Sequence, residues 1–269
     1  MFQIKPDDSY VMPAHFGPRY TGPGTSGLYR DVTTMVVSYI TDAQRLARYL
    51  PPGFSVAKLP VVTVVYACNK GVDWLAGRGY NLVGVSAAVV FDGEKERIEG
   101  SYTLAMWENL TDAILSGREL QGIPKIYGDI TNITEVGGQM SSSLSHFGNK
   151  IMDISVADLF SPNPDDVAAY EAENKGKDNP MAWRYMPAVG GYGKPFSEYT
   201  LFPSENDLNE VKIGAGKVSW EHLTWEQNPT QFHIVNAIAD LPVLDYLPAI
   251  MTKGSTTLIV PGKPTRIIR

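Results

Sequence analysis

The stretch SGRELQGIPKIY, which runs from Ser116 to Tyr127, sets Lys125 directly after a rigid Gly-Ile-Pro bend and among apolar residues. Lysine is normally exposed, because burying its ammonium group is costly unless the charge is paired or the proton is lost. A neutral primary amine in a dry pocket is a nucleophile that can condense with a carbonyl compound to form a Schiff base. Lys125 is therefore a candidate nucleophile, and the alternative is a lysine that reaches water from a strand edge.

The rest of the chain has the composition of a strand-rich globular protein. It has 269 residues, of which 43% are hydrophobic, and no linker divides it, so we expect a single domain over residues 1–269. The 25 glycines and 19 prolines predict many turns between short strands. Residues 1–30 are rich in proline and glycine, and we expect them to form an extended arm that packs on the body of the protein or on a neighbouring subunit.

The charge pattern argues against a nucleic acid or a membrane as a partner. The formal net charge is -6, from 23 basic and 29 acidic residues, and the sequence contains no basic run. Cys68 is the only cysteine, so an intrachain disulfide is impossible and the composition suits a reducing compartment. The sequence has neither a window long enough to span a bilayer nor an apolar signal-peptide core. We therefore expect a cytoplasmic protein.

Apolar and β-branched runs predict about a dozen short strands. They include residues 31–40, 61–69, 80–91, 101–108 and 230–238. Apolar residues at helical spacing predict short helices at residues 42–50 and 111–116. Many strands with few short helices favour an α+β, mainly β fold, in which a large antiparallel sheet curls or closes to hide its edges. The mouth or interior of such a barrel is a natural ligand pocket.

Other common catalytic arrangements are not found in the sequence. The four histidines are isolated and lack the spacing of metal ligands, so no metal site is predicted. The sequence contains no G-x-S-x-G elbow and no Walker loop. Residues 22–27 match the dinucleotide-binding pattern G-x-G-x-x-G, but no apolar strand precedes them and Pro23 blocks the tight turn, so we predict a loop.

The lysine stretch combines Asp112-Ala113-Ile114, then Gly117-Arg118-Glu119-Leu120, then Pro124-Lys125. This arrangement resembles the signature around the Schiff-base lysine of the acetoacetate decarboxylase family. Weaker matches occur in the family's order along nearly the whole chain, at Tyr29-Arg30, Thr41-Asp42, Tyr80 and Asp240-Leu241-Pro242-Val243. The resemblance implies a cone-like antiparallel β-barrel, a homo-oligomer, and no metal or organic cofactor. It also implies that Lys125 forms an imine with a small-molecule ketone or keto acid.

The resemblance assigns possible roles to two further residues. Arg30 resembles the family's active-site arginine, which would hold a substrate carboxylate through a bidentate contact. The alternative for Arg30 is a surface ion pair with Asp31 or Glu119. Gln121 resembles the glutamine of family branches that perform aldol condensation and dehydration on pyruvate-like substrates.

The chain departs from the family pattern at three positions. Ile126 stands where the founding decarboxylases have a second lysine, so activation of Lys125 would rest on desolvation by Ile123 and Ile126. The family's two pocket glutamates fall near Val65 and Leu82, which are apolar in this chain. These departures favour a substrate that is larger and less polar than acetoacetate.

Nearby polar side chains could replace the missing acids. Asn81, Glu108 and Tyr66 are the candidates. The pocket residues that we predict beside Lys125 and Arg30 are Gln121, Tyr80, Asn81, Leu82, Val65 and Glu108.

These observations lead to three functional hypotheses. The first is a cofactor-independent lyase that forms a Schiff base through Lys125, with decarboxylation of a β-keto acid as the family default. The second is an aldolase-dehydratase that uses the same imine, for which Tyr246 lies several residues too early to match the tyrosine of those branches. The third is a non-catalytic barrel that binds a hydrophobic carbonyl ligand. Lys253 is a second amine in the C-terminal region, where we expect a surface role.

Overall fold

A computed structural model of the protein describes residues 2–165, 167–168, 172, 178–258 and 262–269. In this part of the chain one sheet contains sixteen strands. The strands are β1 Leu28–Ile40, β2 Phe54–Val56, β3 Val61–Val72, β4 Arg78–Asp92, β5 Arg97–Glu108, β6 Lys125–Tyr127, β7 Asp129–Ile130, β8 Thr134–Val136, β9 Gln139–His146, β10 Asn149–Phe160, β11 Pro180–Met186, β12 Phe196–Leu201, β13 Glu205–Trp220, β14 Asp245–Tyr246, β15 Ala249–Thr257 and β16 Arg266–Ile268. The helices with fully described bounds are α1 Ala43–Ala47, α2 Thr111–Gln121 and α3 Phe232–Ala239, together with short 3-10 turns at Ala14–Phe16 and Asp73–Leu75.

Neighbouring strands of the sheet are hydrogen-bonded in the spatial order β16-β12-β11-β5-β4-β3-β1-β15-β13-β10-β9-β7. Four further strands pair outside this order, β14 with β1, β2 with β4, β6 with β5 and β8 with β9. Most neighbours are antiparallel, as the sequence predicts, but β5 pairs in parallel with both β6 and β11. The sheet is therefore mixed, and the expectation of a purely antiparallel sheet is wrong. The described pairings form an open path from β16 to β7, so closure into a barrel is not confirmed.

The parallel pairing of β5 with β6 comes from the helix between them. Parallel neighbours need a crossover connection, and an α-helix is its usual form. Helix α2 makes this crossover, so the end of β5 and the start of β6 lie side by side, with Met106 opposite Lys125 and Glu108 opposite Tyr127. The unit β5-α2-β6 thereby brings Glu108 close to Lys125.

The two faces of the sheet carry two apolar clusters. Met35, Tyr66, Val83 and Trp107 lie in one cross-strand line on β1, β3, β4 and β5, and all four are fully buried in the main core. Adjacent residues of a strand face opposite ways, so the neighbours of these residues point to the other face. That face carries the second cluster, whose members are Tyr29, Val32, Ala67, Val72, Tyr80 and Ala113, with Trp74, Leu75, Leu82, Leu110 and Leu258 packed against it.

Three of the predicted elements differ from the observed ones. The strand predicted at residues 230–238 is helix α3, whose buried Val235 and Ile238 are three residues apart, which is helical spacing. Helix α2 does not end at residue 116 but continues to Gln121. Helix α1 covers only Ala43–Ala47, and Asp42 caps it by accepting a hydrogen bond from the Arg45 amide at 2.8 Å.

Among the described residues, no cluster of three or more histidine, cysteine, aspartate or glutamate side chains has an arrangement suited to binding a metal ion. None of the helices in the described part of the chain is long and apolar enough to cross a bilayer.

Candidate active site

The turn between α2 and β6 fixes the position of Lys125. Helix α2 ends at Gln121, and the φ of 75° at the following Gly122 lies in the left-handed region that glycine adopts without strain. A Cβ atom on Gly122 would also lie 2.3 Å from the Cβ atom of Arg184, so glycine is required at this position on two grounds. After the turn, the Arg118 guanidinium donates a hydrogen bond to the Lys125 carbonyl at 2.8 Å. The helix thus fixes the backbone of the lysine that follows it.

The Lys125 side chain is buried and ion-paired. The residue is only 7% exposed, and its Nζ atom lies 2.7 Å from Oε1 of Glu108, which is completely buried. Nζ also donates a hydrogen bond to the Ala113 carbonyl of α2 at 3.3 Å. The alternative in which Lys125 reaches water from a strand edge is therefore wrong.

The Glu108 carboxyl has an unusual environment. Burial raises the pKa of Glu108 above its ordinary value, and the nearby positive charge of Lys125 opposes this rise without cancelling it. Within the described residues, Oε2 of Glu108 has no hydrogen-bond partner. The site therefore combines an amine with a carboxyl group that titrates closer to neutrality than a solvated glutamate.

Helix α2 leaves room for the amine through Gly117. A Cβ atom at this position would lie 2.4 Å from Cε and 2.7 Å from Nζ of Lys125. Real Cβ contacts are not that short, so a larger residue at position 117 would push the lysine side chain away from Glu108.

Three aromatic residues of the second cluster form a hydrogen-bonded chain near the ion pair. The Tyr80 and Tyr29 hydroxyl groups lie 3.1 Å apart, and the Trp74 indole N–H donates to the Tyr29 hydroxyl at 3.1 Å. Burial raises the pKa of both tyrosines, and the negative charge of Glu108 adds to the rise. These hydroxyl groups therefore stay protonated and form a polar edge on an otherwise apolar wall.

Glu108, Tyr80 and Leu82 are the predicted pocket residues that lie on the same face as Lys125. Leu82 is directly opposite Glu108 in the pairing of β4 with β5, and Tyr80 is two residues earlier on the same face. Val65 also lies on this face, in the row that runs from Lys125 through Met106 and Gly84. Three strand spacings separate Val65 from Lys125, which is about 14 Å.

Asn81 and Gln121 are turned away from the amine. Asn81 points to the opposite face of β4, where its amide group donates to the carbonyls of Ile130 and Thr131 and to the Asn132 side chain. The Gln121 amide donates to the Thr265 hydroxyl at 3.2 Å. Neither side chain has a described contact with Lys125.

Arg30 lies on the surface. Its side chain is 61% exposed and forms an ion pair with Asp73 at 2.7 Å. Arg30 thus forms a surface ion pair, as the alternative interpretation predicts, but its partner is Asp73 rather than Asp31 or Glu119. A contact between Arg30 and a substrate carboxylate stays a prediction, and it would require this pair to open or to be shared.

The expectation that Ile126 desolvates the amine is wrong. Ile126 follows Lys125 in β6, and adjacent strand residues face opposite sides, so its side chain packs against the main core. Ile123 is buried in the turn, and desolvation of the amine by Ile123 stays a prediction. The sequence did not indicate the polar edge that Trp74 and Tyr29 form with Tyr80, because these residues lie far apart in the chain.

The remaining polar candidates lie elsewhere in the fold. The Tyr66 hydroxyl donates to the Thr131 carbonyl at 3.2 Å on the core side of the sheet. Tyr246 donates to the Val218 carbonyl at 3.1 Å. Lys253 is 47% exposed and pairs with Glu210 at 3.1 Å. Two surface pockets have volumes of about 380 and 310 Å³. Glu135 and Lys253 are among the residues that line the first, Tyr49 and Leu241 are among those that line the second, and Lys125 lines neither.

Known proteins resemble this chain over most of its length. Decarboxylase DEC1 of Cochliobolus heterostrophus is 22% identical over 250 residues, which cover 89% of this chain and 88% of that protein. The crystal structure of acetoacetate decarboxylase from Legionella pneumophila superposes with a TM-score of 0.71 at 16% identity, over 94% of this chain and 92% of that chain.

A further solved structure is the enduracididine biosynthesis enzyme MppR in complex with the condensation product of pyruvate and imidazole 4-carboxaldehyde. It superposes with a TM-score of 0.67 at 16% identity, over 98% of this chain and 97% of that chain. At these identities the superpositions show a shared fold. The sequence model of acetoacetate decarboxylase matches residues 11–260. This protein therefore belongs to the acetoacetate decarboxylase family.

Proposed function

We propose that this protein is a cofactor-independent lyase that forms a Schiff base between Lys125 and a ketone or keto-acid substrate. One observation carries the proposal, namely the buried Lys125 amine in contact with the buried carboxyl group of Glu108. A buried ion pair contributes little to stability compared with apolar side chains of the same size. Its chemical use is a better reason for its presence, since perturbed and buried titratable groups are typical of functional sites.

The proposed reaction is the decarboxylation of a β-keto acid. The Lys125 amine attacks the ketone carbon, and water leaves as the protonated imine forms. The bond to the carboxylate carbon then breaks and carbon dioxide leaves. The electron pair of that bond forms the C=C bond of an enamine, and the π electrons of the protonated imine move to its nitrogen. A proton from solvent adds to the enamine carbon, and water hydrolyses the resulting imine to release the ketone and the free amine.

We propose an apolar substituent on the substrate. The sheet face that carries Lys125 also presents Leu82 and Val65, and the second cluster adds Val32 and Ala67. Apolar walls with a few polar groups are typical of pockets that bind small molecules. The hydroxyl groups at the Tyr80 end of the wall would then contact oxygen atoms of the substrate.

Aldol condensation and dehydration through the same imine is the second candidate. The fold is shared with MppR, whose solved complex contains a condensation product of pyruvate. The position of Gln121 gives this candidate less support, because its amide is hydrogen-bonded to Thr265. Binding of a hydrophobic carbonyl ligand without catalysis is the third candidate.

Three further proposals concern the whole protein, and each comes from the sequence. We propose that the sheet closes into a cone-like barrel, that the chain forms a homo-oligomer through contacts that include residues 1–30, and that it acts in the cytoplasm on a small molecule, without nucleic acid or membrane partners. Light scattering after size-exclusion chromatography tests the assembly, because a monomeric mass would contradict it.

Product analysis separates the candidate functions. The protein is incubated with acetoacetate and its longer-chain homologues, and separately with pyruvate and an aromatic aldehyde, and carbon dioxide and condensation products are measured. We expect carbon dioxide release that rises with chain length and is lost in Lys125→Ala. Aldehyde-dependent product without carbon dioxide would favour the aldolase-dehydratase, and no product under either condition would favour the binding protein.

A further inference from the structure

Glu108 is the acidic group that lies at the reactive atom. It is the last residue of β5, and the crossover through α2 places its Oε1 atom 2.7 Å from the Lys125 amine. Among the ion pairs of the described residues, Glu108 is the sole acidic partner of Lys125. Any proton that leaves the amine for a protein carboxylate therefore goes to Glu108.

The second oxygen of Glu108 lacks the hydrogen bonds that a buried carboxylate normally has. The residue is fully buried, and Oε2 has no partner among the described residues. Leaving a buried charged acceptor unsatisfied is costly. This cost has a reason if Oε2 carries a proton for donation or contacts the oxygen atom of a substrate during the reaction.

We propose that Glu108 is a catalytic residue that transfers a proton between the Lys125 amine and the oxygen that leaves the substrate during imine formation. This inference rests on the proposed function and assigns its acid and base. It is independent of the reaction that follows, because decarboxylation and aldol chemistry both begin with the same imine.

The proposed proton transfers balance. Glu108 first takes a proton from the Lys125 ammonium group, which leaves a neutral amine and a neutral carboxyl group. The amine forms its bond to the carbonyl carbon, and one N–H proton moves to the former carbonyl oxygen to give a carbinolamine. The carboxyl proton then goes to this hydroxyl group, which leaves as water while the nitrogen lone pair forms the C=N bond. A protonated imine and a Glu108 carboxylate remain, and hydrolysis reverses these steps.

The neighbouring hydroxyl groups are less suited to this role. Tyr80 and Tyr29 are hydrogen-bonded to each other, and burial raises their pKa further above that of Glu108. They can orient a substrate oxygen, but they are poor acceptors for the amine proton. By contrast, the raised pKa of Glu108 brings its carboxyl group closer to the pH at which an enzyme must both accept and donate a proton.

The test compares Glu108→Gln with the wild-type protein and with Glu135→Gln, which changes an exposed carboxylate on β8. The rate of imine formation is measured by borohydride trapping with acetone and with 2-heptanone over a range of pH. We expect Glu108→Gln to slow trapping by about 100-fold, the lower end of the usual contribution of general acid–base catalysis, and Glu135→Gln to leave it unchanged. Glu108→Asp, which keeps a carboxyl group on a shorter side chain, should recover part of the rate.

Borohydride trapping distinguishes a purely structural role of Glu108 from a failure of the proposed function. If Glu108→Gln is folded by circular dichroism and traps at the wild-type rate with the wild-type pH profile, the inference is overturned and the proposed function stands. Absence of trapping in the wild-type protein would instead overturn the proposed function. If Glu108→Gln does not fold, the wild-type profile decides, since we expect trapping to fall on the acid side with an apparent pKa above 4.5, and a flat profile would overturn the role of Glu108.

Discussion

At the scale of single residues, the ion pair between Lys125 and Glu108 dominates the site. Both side chains are buried, and each compensates the charge of the other at 2.7 Å. Removing one partner of such a pair leaves an uncompensated buried charge. Replacing both partners with apolar or neutral groups leaves no buried charge, so the free energy cost is avoided. The pair should therefore show strong coupling in a double-mutant cycle.

The cycle compares Lys125→Met, Glu108→Gln and the double variant. We expect Glu108→Gln alone to lower the free energy of unfolding by about 3 kcal/mol, because it leaves the ammonium group without its anion. The double variant should be at least as stable as the less stable single variant and should approach the wild-type value. The free energy of unfolding of the wild-type protein and the three variants is measured by urea denaturation. Additive effects of the two substitutions on this free energy would contradict the coupling.

The stability of Lys125→Met should depend on pH in a defined direction. Lysine lowers the pKa of Glu108, so its removal leaves burial as the main influence and raises that pKa further. A carboxyl group with a raised pKa in the folded state favours folding at low pH and loses this contribution as the pH rises through the folded-state value. The stability deficit of Lys125→Met against the wild-type protein should thus grow from pH 4 to pH 8, as followed by thermal melts, and a constant deficit would contradict this.

Residue patterns predicted the buried amine of Lys125 better than the groups that surround it. The stretch around Lys125 selected this amine together with its resemblance to the family's signature, and the structure confirms that the side chain is buried. Glu108 remained one of several polar candidates, since the face that a strand residue occupies depends on register. The alternation within β6 could have excluded Ile126 as a desolvating residue, but the start of that strand was not known.

At the scale of elements, the unit β5-α2-β6 builds the site. The sequence predicted a strand that ends at residue 108 and a helix that begins at residue 111, and both limits are confirmed. The predicted helix ended too early, at residue 116, because the low helix propensity of Gly117 suggests a helix end. The contact of Gly117 with the lysine side chain, which no local pattern shows, explains why glycine is present inside α2.

Gly117→Ala should separate activity from stability. Alanine favours the helix by about 1 kcal/mol over glycine, so the variant should remain folded with a similar melting temperature. Its Cβ atom would meet Lys125 at 2.4 Å from Cε and displace the amine from Glu108. We expect borohydride trapping to fall by at least about 10-fold, as for other small displacements of catalytic groups.

The matched control is Ser116→Ala, which changes the preceding residue of the same helix. It should keep the wild-type trapping rate. Wild-type trapping by Gly117→Ala would contradict the proposed packing between α2 and the lysine.

At the scale of the whole molecule, the mainly β class was predictable and the strand pairing was not. Turn residues and β-branched runs indicated many strands, which the sheet confirms. The strands are not all short, since six of the described strands have 12–16 residues. The parallel pairings of β5 with β6 and β11 join segments that no local pattern relates. Helix α3 was missed because its β-branched residues favour strands, while tertiary burial of Val235 and Ile238 selects the helix.

The C-terminal strand β16 contributes to the stability of the whole sheet. It pairs with β12, and its Ile268 is 2% exposed in the main core, whereas Ile267 is 43% exposed. Ile268→Ala should lower the free energy of unfolding by about 2–5 kcal/mol, as for other large-to-small changes in cores. Ile267→Ala is the matched control and should stay within about 0.5 kcal/mol of the wild-type protein. Equal effects of the two changes in urea denaturation would show that β16 does not dock as described.

Borohydride trapping followed by peptide mapping tests the imine most directly. The protein is incubated with a longer-chain homologue of acetoacetate and with borohydride, then digested, and the mass of each lysine-containing peptide is measured. We predict one reduced adduct, on Lys125, that persists in Lys253→Ala and is lost in Lys125→Ala. An unmodified Lys125, or an adduct that forms equally on Lys253, would contradict a Schiff-base function for this site.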